Sequence, residues 1–445
     1  MRLATGIAIA LLLVMGVPRT VLGQNLTIKL SLALAEYKPG DAVPIEYSVT
    51  NNESKAVAVL KWNTPLEGLI GDPFAVNHEG TAQPFFGVML LRTDPIASDW
   101  VTIPAKGTVS ATVNLASAYD LSPAGAYQVL VRHGFQHVAF GSPPRIAIKA
   151  LRRRDLQSNT VAFRMLESGK PPPRPMQTPG GAAAVSFSGC NSDQQAALTK
   201  ASSAMQTEAT KVSVDVANWP ACANWSKSAT SFLGACNDTG LAVAKSVTST
   251  ITRRGPTEIL DCSGTRSCAP LPSNCTKPNV LAFTCLGGPN STIYLCSSFF
   301  SMPVENEIDS QQTALYHELS HWAYTQDYAY GCKNCADLAG NNPSQAQNNA
   351  SSFMYFAIFQ ATGKDPSCGC SVSRVTSSTN KSAWAFAMLA AVALSSRIRR
   401  RDAPAKTRGA DPNSRSHRGI AGNLRRTGPC RHRVVNRAAV ALAGQ

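Results

Sequence analysis

From Asn25 onward, apolar and polar side chains alternate along the chain. Leu26, Ile28, Leu30, Leu32 and Leu34 fall on one face and Thr27, Lys29 and Ser31 on the other, which is the period of a strand. A turn at Lys38-Pro39-Gly40-Asp41 follows, and Val43, Ile45, Tyr47 and Val49 repeat the pattern. Shorter runs recur at Ala56 to Leu60, Thr108 to Leu115, Tyr127 to Val131, Ile146 to Ile148 and Val161 to Met165, separated by Gly, Pro and Asn. Regular short strands with polar turns predict an all-β sandwich of Ig-like size over residues 24–168. Beyond Cys190 the period changes. Ser192 as N-cap with Gln195 three residues on forms a capping box, and Ala197, Leu198, Ala201, Met205, Ala209 and Val212 make a helical stripe. A second helical pattern runs from Thr239 to Thr252, strand-like pieces follow at Glu258 to Cys262, Val280 to Cys285 and Thr292 to Cys296, and another helix starts near Asp309 with Gln312 at N3. These elements predict a mainly helical α+β domain over 185–371, with one of its strands edging a cleft. The Pro-rich run Lys170 to Gly181 cannot pack and is open to proteases, so 169–184 reads as a linker.

Composition refines this division. With 445 residues, 44% of them apolar, the chain can bury more than one core. Residues 1–23 read as a signal peptide: a short basic start at Met1-Arg2, an apolar run from Ala4 to Val17, and a small-residue cleavage site at Val21-Leu22-Gly23. A secreted, extracellular protein is therefore expected. All thirteen cysteines lie from Cys190 onward, so oxidation staples the second half only, and the odd number leaves at least one unpaired within the chain. Cys332-Lys-Asn-Cys335 reads as a structural disulfide rather than a redox or metal motif. Sequons at Asn25, Asn52, Asn224, Asn237, Asn274, Asn290, Asn349 and Asn380 suit an exported glycoprotein, several of them unused. Arg152-Arg153-Arg154 reads equally as a processing signal or a solvated turn.

The net charge of +15 is concentrated at one end: after Ser395 thirteen Lys and Arg face two Asp, +11 in all, which leaves +4 for the rest. The high pI thus says nothing about the partners of the cysteine-bearing domain, for which no nucleic-acid partner is expected. The stretch 372–445 reads as a Ser-rich spacer, a short apolar run (Trp384 to Leu394) and a basic disordered tail. The apolar run has the look of a GPI signal, but such a signal ends its chain and some fifty residues follow here, so membrane attachment is not the preferred reading. A monomer is expected.

The chemistry is concentrated in Thr313 to Gly331, TALYHELSHWAYTQDYAYG. A helix through its first half puts His317 and His321 one turn apart on one face, with Glu318 beside them. Two neutral imidazoles so placed can both reach one Zn²⁺ at about 2.0–2.1 Å, and the carboxylate can act as a base toward water activated there. A third protein ligand is needed. No glutamate occurs after Glu318, which excludes a downstream Glu ligand. A His-x-x-Gly-x-x-His continuation is also absent, since Tyr324 stands in the Gly place and Asp327 in that of the last His. Asp327 remains.

These residues resemble the aspzincins, a family that includes the deuterolysins and the fungal peptidyl-Lys metalloendopeptidases. Its mark is His-Glu-x-x-His followed by Gly-Thr-x-Asp-x-x-Tyr-Gly; Thr325, Asp327, Tyr330 and Gly331 match, while Tyr324 replaces the first Gly and the loop before Asp327 is about three residues shorter. The resemblance covers roughly Phe187 to Phe356 and, more loosely, the N-terminal half. It implies a secreted zinc endopeptidase that hydrolyses internal bonds of proteins or peptides. In that reading His317, His321 and Asp327 are the ligands of one catalytic Zn²⁺, Glu318 is the general base and Tyr330 is the oxyanion donor. It further implies an N-terminal region removed on maturation just before Phe187-Ser188-Gly189-Cys190, a Cys190–Cys262 pair, and Cys296 joined to Cys268, Cys275 or Cys285. Lys-selective members carry acidic side chains at positions that align here with Ser351 and Met354, so strict lysine selectivity is not expected. The rival reading is a catalytically inactive aspzincin-like exported binding protein, motivated by the shortened loop and Tyr324.

Overall fold

The computed structural model describes residues 25–167, 185–264, 274–286, 292–364 and Cys368. The expectations for the signal peptide, the linker and the tail lie outside these residues. The alternating N-terminal segments form strands β1 (Leu26–Leu32), β2 (Pro44–Asn51), β3 (Val57–Leu60), β4 (Phe74–His78), β5 (Val88–Arg92), β6 (Trp100–Ile103), β7 (Thr108–Asn114), β8 (Gly125–Val131), β9 (Val138–Phe140) and β10 (Val161–Met165). Three of the sheets run β1-β2-β7, then Glu36–Tyr37 with β10, β8, β4 and Thr81–Ala82, then β9-β3-β6. The alternation does what period two requires: in β1 Leu26, Ile28 and Leu30 are buried while Thr27 and Lys29 are exposed.

Two expectations fail here. Ile146 to Ile148 forms no strand but leads into a 3-10 turn at Ile148–Ala150, just after Pro143-Pro144, whose nitrogens have no hydrogen for a ladder. Arg153 is not a solvated turn residue: it donates to Gln345 at 2.9 Å and lies over the ring of Tyr328 at 5.3 Å. Strands β4, β5, β6 and β9 lie outside the runs read from alternation.

The second half comprises β11 (Ser186–Ser188), α1 (Ser192–Ala217), α2 (Lys227–Leu233), α3 (Asp238–Arg254), β12 (Ile259–Asp261), β13 (Val280–Cys285), β14 (Thr292–Leu295), α4 (Gln311–Ser320), α5 (Cys332–Asn341) and α6 (Ala350–Thr362). The caps sit one position from where the sequence puts them. Asn191 with Gln194, not Ser192 with Gln195, forms the capping box of α1, and Ser310 with Thr313, not Asp309 with Gln312, caps α4. Asp309 instead accepts a hydrogen bond from Tyr355 at 2.8 Å.

The sheet of this half runs β11-β12-β14-β13-β5, and its last strand comes from the N-terminal region. β5 pairs antiparallel with β13, placing Leu90 opposite Phe283 and Leu91 opposite Ala282, with a register irregularity between Val280 and Ala282. The disulfides include Cys190–Cys262, as the resemblance implied, and Cys275–Cys296, one of the three pairings it left open, together with Cys222–Cys236 and Cys332–Cys368. The Cys332/Cys335 expectation is corrected: Cys332 reaches Cys368, and Cys335 is a buried free thiol.

Candidate metal centre

Helix α4 is buried along its whole length, in contact with α1, α3 and α6. Its last turn carries His317 and Glu318, and a 3-10 turn at His321–Ala323 continues it. The chain then reverses through Tyr324, which adopts the left-handed conformation (φ 65°, ψ 24°) normally left to glycine, with its side chain half exposed. The shortened loop thus makes its turn at a backbone cost. Beyond it Gln326 bridges to the start of α6: its N–H donates to the Asn348 carbonyl at 2.7 Å, and Ala350 N–H donates to the Gln326 carbonyl at 2.8 Å. Asn349 fixes the next turn, accepting from Ala329 N–H at 3.0 Å and donating to the Ala329 carbonyl at 3.1 Å. Its amide is fully buried, so that sequon offers no acceptor in the folded chain.

The fold brings together the five residues singled out from the sequence. His317, Glu318, His321 and Asp327 are wholly buried and Tyr330 is 1% exposed. The Nε2 atoms of His317 and His321 are 3.2 Å apart and lie 3.3 and 3.6 Å from Asp327 Oδ1. A tetrahedral ion with ligand bonds of about 2.0–2.1 Å needs donor atoms separated by about 3.3–3.4 Å. The triangle therefore fits a zinc-sized ion, and these residues form a group able to hold a metal.

The tautomer of His321 agrees. His321 Nδ1 lies 2.8 Å from the Thr325 carbonyl, which can only accept, so the hydrogen sits on Nδ1 and Nε2 keeps its lone pair. Ser351 Oγ lies 3.1 Å from His317 Nδ1 and orients that ring. Sequence reasoning had placed Ser351 in a specificity pocket; its contact with a candidate ligand shows only in the folded chain. Neither oxygen of Asp327 or Glu318 has a hydrogen-bond partner of ordinary geometry, a costly state for buried carboxylates unless something cationic sits among them.

The electrostatics follow from burial and mutual charge. Burial, then the charge of Asp327, pushes the Glu318 pKa well up, against the Leu91 main-chain N–H, which favours the ionised form. Burial alone would raise Asp327, but His321 and His317 outweigh it and hold it below the usual carboxylate range. His321 is depressed to about 4, chiefly by burial. Burial raises Tyr330 well above its ordinary value, so its hydroxyl remains a donor across the working pH range. Two side chains of the N-terminal region brace the ligand loop: Asn63 Nδ2 donates to the Asp327 carbonyl at 2.7 Å, and Gln136 Nε2 to the Tyr328 carbonyl at 3.1 Å. No local signal marks Asn63 or Gln136 in the sequence.

The profile of a family described as lysine-specific metallo-endopeptidase, the aspzincins, matches residues 226–358, which span α4, the ligand loop and most of α6. Over these residues the chain is similar to the aspzincin metalloendopeptidases. An extracellular protease of Aeromonas hydrophila is 29% identical over 370 residues, covering 80% of this chain and 97% of that protein. A peptidyl-Lys metalloendopeptidase of Grifola frondosa is 27% identical over 331 residues, covering 70% of this chain and 86% of its own. Among solved structures, a zinc peptidase from Grifola frondosa aligns with 38% of this chain and 97% of its own at 26% identity, with a TM-score of 0.32. The family match and these relatives support a zinc metalloendopeptidase with proteins or peptides as substrates.

Proposed function

We propose that His317, His321 and Asp327 hold one catalytic Zn²⁺, that Glu318 is the general base and that Tyr330 stabilises the oxyanion. The observation that carries this reading is the 3.2–3.6 Å triangle of ligand atoms with an unpartnered, buried Glu318 carboxylate beside it. A zinc ion held there supplies a Lewis acid that polarises the scissile carbonyl and acidifies water. Glu318 takes the proton of the attacking water and hands it to the leaving amide nitrogen. Tyr330, kept protonated by burial, donates to the developing oxyanion, and Ser351 and the Thr325 carbonyl keep both imidazoles turned with Nε2 inward.

The protein acts outside the cell: its leader-like start, its disulfides and the name of its Aeromonas relative support this. Residues 24–168 form an Ig-like sandwich pro-region, 169–184 a cleavable linker and 185–371 the protease. Strict lysine selectivity is absent, because Ser351 is engaged by His317 and Met354 is uncharged where Lys-selective relatives are acidic.

The test is casein hydrolysis by the full chain after limited cleavage within 169–184, with zinc measured in parallel. Glu318→Ala should lose activity and keep zinc, and Asp327→Ala should lose both. A folded, zinc-loaded wild type inert toward casein and a mixed peptide library would instead support the binding-protein reading.

A further inference from the structure

Strand β5 sits where an extended substrate would. It is buried at all five positions and adds to the edge of β13 as the last strand of the catalytic sheet. Strand addition is how a sheet edge beside a cleft holds a peptide: main-chain bonds give affinity and alternate side chains meet pockets. One of the proposed catalytic groups meets the backbone of β5 directly. Tyr330 donates to the Leu90 carbonyl at 3.1 Å, and α4, which carries Glu318, packs against the strand. The proposed oxyanion donor thus holds the carbonyl of the bond between Leu90 and Leu91, on a strand that the Glu318 helix touches.

Side chains alternate about this bond. Met89 and Leu91 join the core that includes Leu319 of α4 and Met354 of α6, whereas Val88 and Leu90 join a separate cluster with Ile70, Val280, Phe283 and Cys296. Next in the strand, Arg92 is locked by Glu67 through two bonds of 2.7 and 2.8 Å and stacks on Trp62 at 5.1 Å; Lys277, next to the cleft strand, also reaches Glu67 at 2.7 Å. The strand is therefore clamped from both halves of the chain.

We infer that β5 occupies the substrate groove in a substrate's own register, with the Leu90–Leu91 bond at the reacting position. The N-terminal region then holds the protease latent, and the groove accepts extended peptides with a large aliphatic residue on each side of the scissile bond. The inference rests on the proposed roles of Glu318 and Tyr330.

Three measurements test it. First, the intact chain should be at least 10-fold less active on casein than the chain cut within 169–184 and freed of its N-terminal part, and Leu91→Ala should raise the activity of the intact chain. Second, a synthetic peptide of residues 86–94, FGVMLLRTD, should compete with substrate for the cut enzyme, and the same peptide with Lys in place of Leu91 should compete at least 10-fold less well. Third, in the zinc-loaded Glu318→Ala chain, the amides of Val280–Cys285 should be protected from hydrogen exchange when intact, exposed after removal of the N-terminal part, and protected again by FGVMLLRTD. The exchange readout is independent of turnover. An active cut enzyme that the peptide neither inhibits nor protects, or an intact chain as active as the cut one, overturns the inference and leaves the protease reading standing. Zinc-loaded chains inert both intact and cut would bring down the protease reading itself.

Discussion

Replacing Tyr330 by Phe removes one oxygen atom and leaves the ring against Trp62, with which it makes an edge contact at 5.7 Å. The hydroxyl has two separable effects. In the intact chain it donates to the Leu90 carbonyl at 3.1 Å, one neutral hydrogen bond, worth about 0.5–1.5 kcal/mol in stability. In the proposed oxyanion role the same hydroxyl would face a carbonyl oxygen gaining negative charge, where a lost donor costs about 2.7–4 kcal/mol, or roughly 10²–10³ in kcat. Because a free phenol titrates only near about 10, the loss should be uniform across about pH 6–8 rather than tracking a phenol titration. The assay is kcat and KM on a fixed peptide with the cut enzyme, with zinc content and thermal unfolding of the intact chain alongside. The expected result is kcat down by at least 10²-fold, KM changed by less than about 3-fold, full zinc and a small loss of Tm. A kcat within 3-fold of wild type would refute the oxyanion role and reduce Tyr330 to a packed aromatic.

Other outcomes follow from the same physical arguments. Glu258 is buried with only Ser202 donating to it, and burial lifts its pKa to about 8, so its stability contribution is full below about pH 4.5 and is lost as pH rises toward 8; Glu258→Gln should raise Tm over wild type at pH 8.5 and change it little at pH 4.5, as followed by thermal melts. Glu67 has the opposite sign: burial raises its pKa, but Arg92 and Lys277 outweigh that and hold it at about 2, so its stabilising charge is lost as pH falls from about 4.5 toward 2, and in Glu67→Gln that part of the acid-induced loss of Tm should disappear. Tyr324→Gly should relieve a left-handed residue that costs about 1–2 kcal/mol and raise Tm by a few degrees despite the added chain entropy, whereas Tyr324→Ala should not. Cys335 should resist iodoacetamide in the native chain and react after unfolding, since burial both shields the thiol and raises its pKa.

The sequence by itself determined what depends on neighbours along the chain. The 3.6-residue period puts His317 and His321 on one face of any helix through them, and the strict alternation of β1 and β2 has only one side that can face a core. Eliminating other ligands downstream left Asp327, and the fold places it beside both histidines. Tertiary structure decided the rest because its determinants are distant in sequence. Val88–Arg92 is apolar at four consecutive positions before Arg92, a pattern without period that no local rule assigns to a strand, and its partner strand lies about 190 residues on. The contact of Tyr330 with Leu90 spans 240 residues, and that of Asn63 with Asp327 spans 264. Ser351 could be aligned with a pocket position, but only the packing of α6 against α4 turns its hydroxyl to His317. Whether a groove is open or filled is likewise a property of the packed molecule, since it depends on which backbone satisfies the hydrogen bonds of the β13 edge.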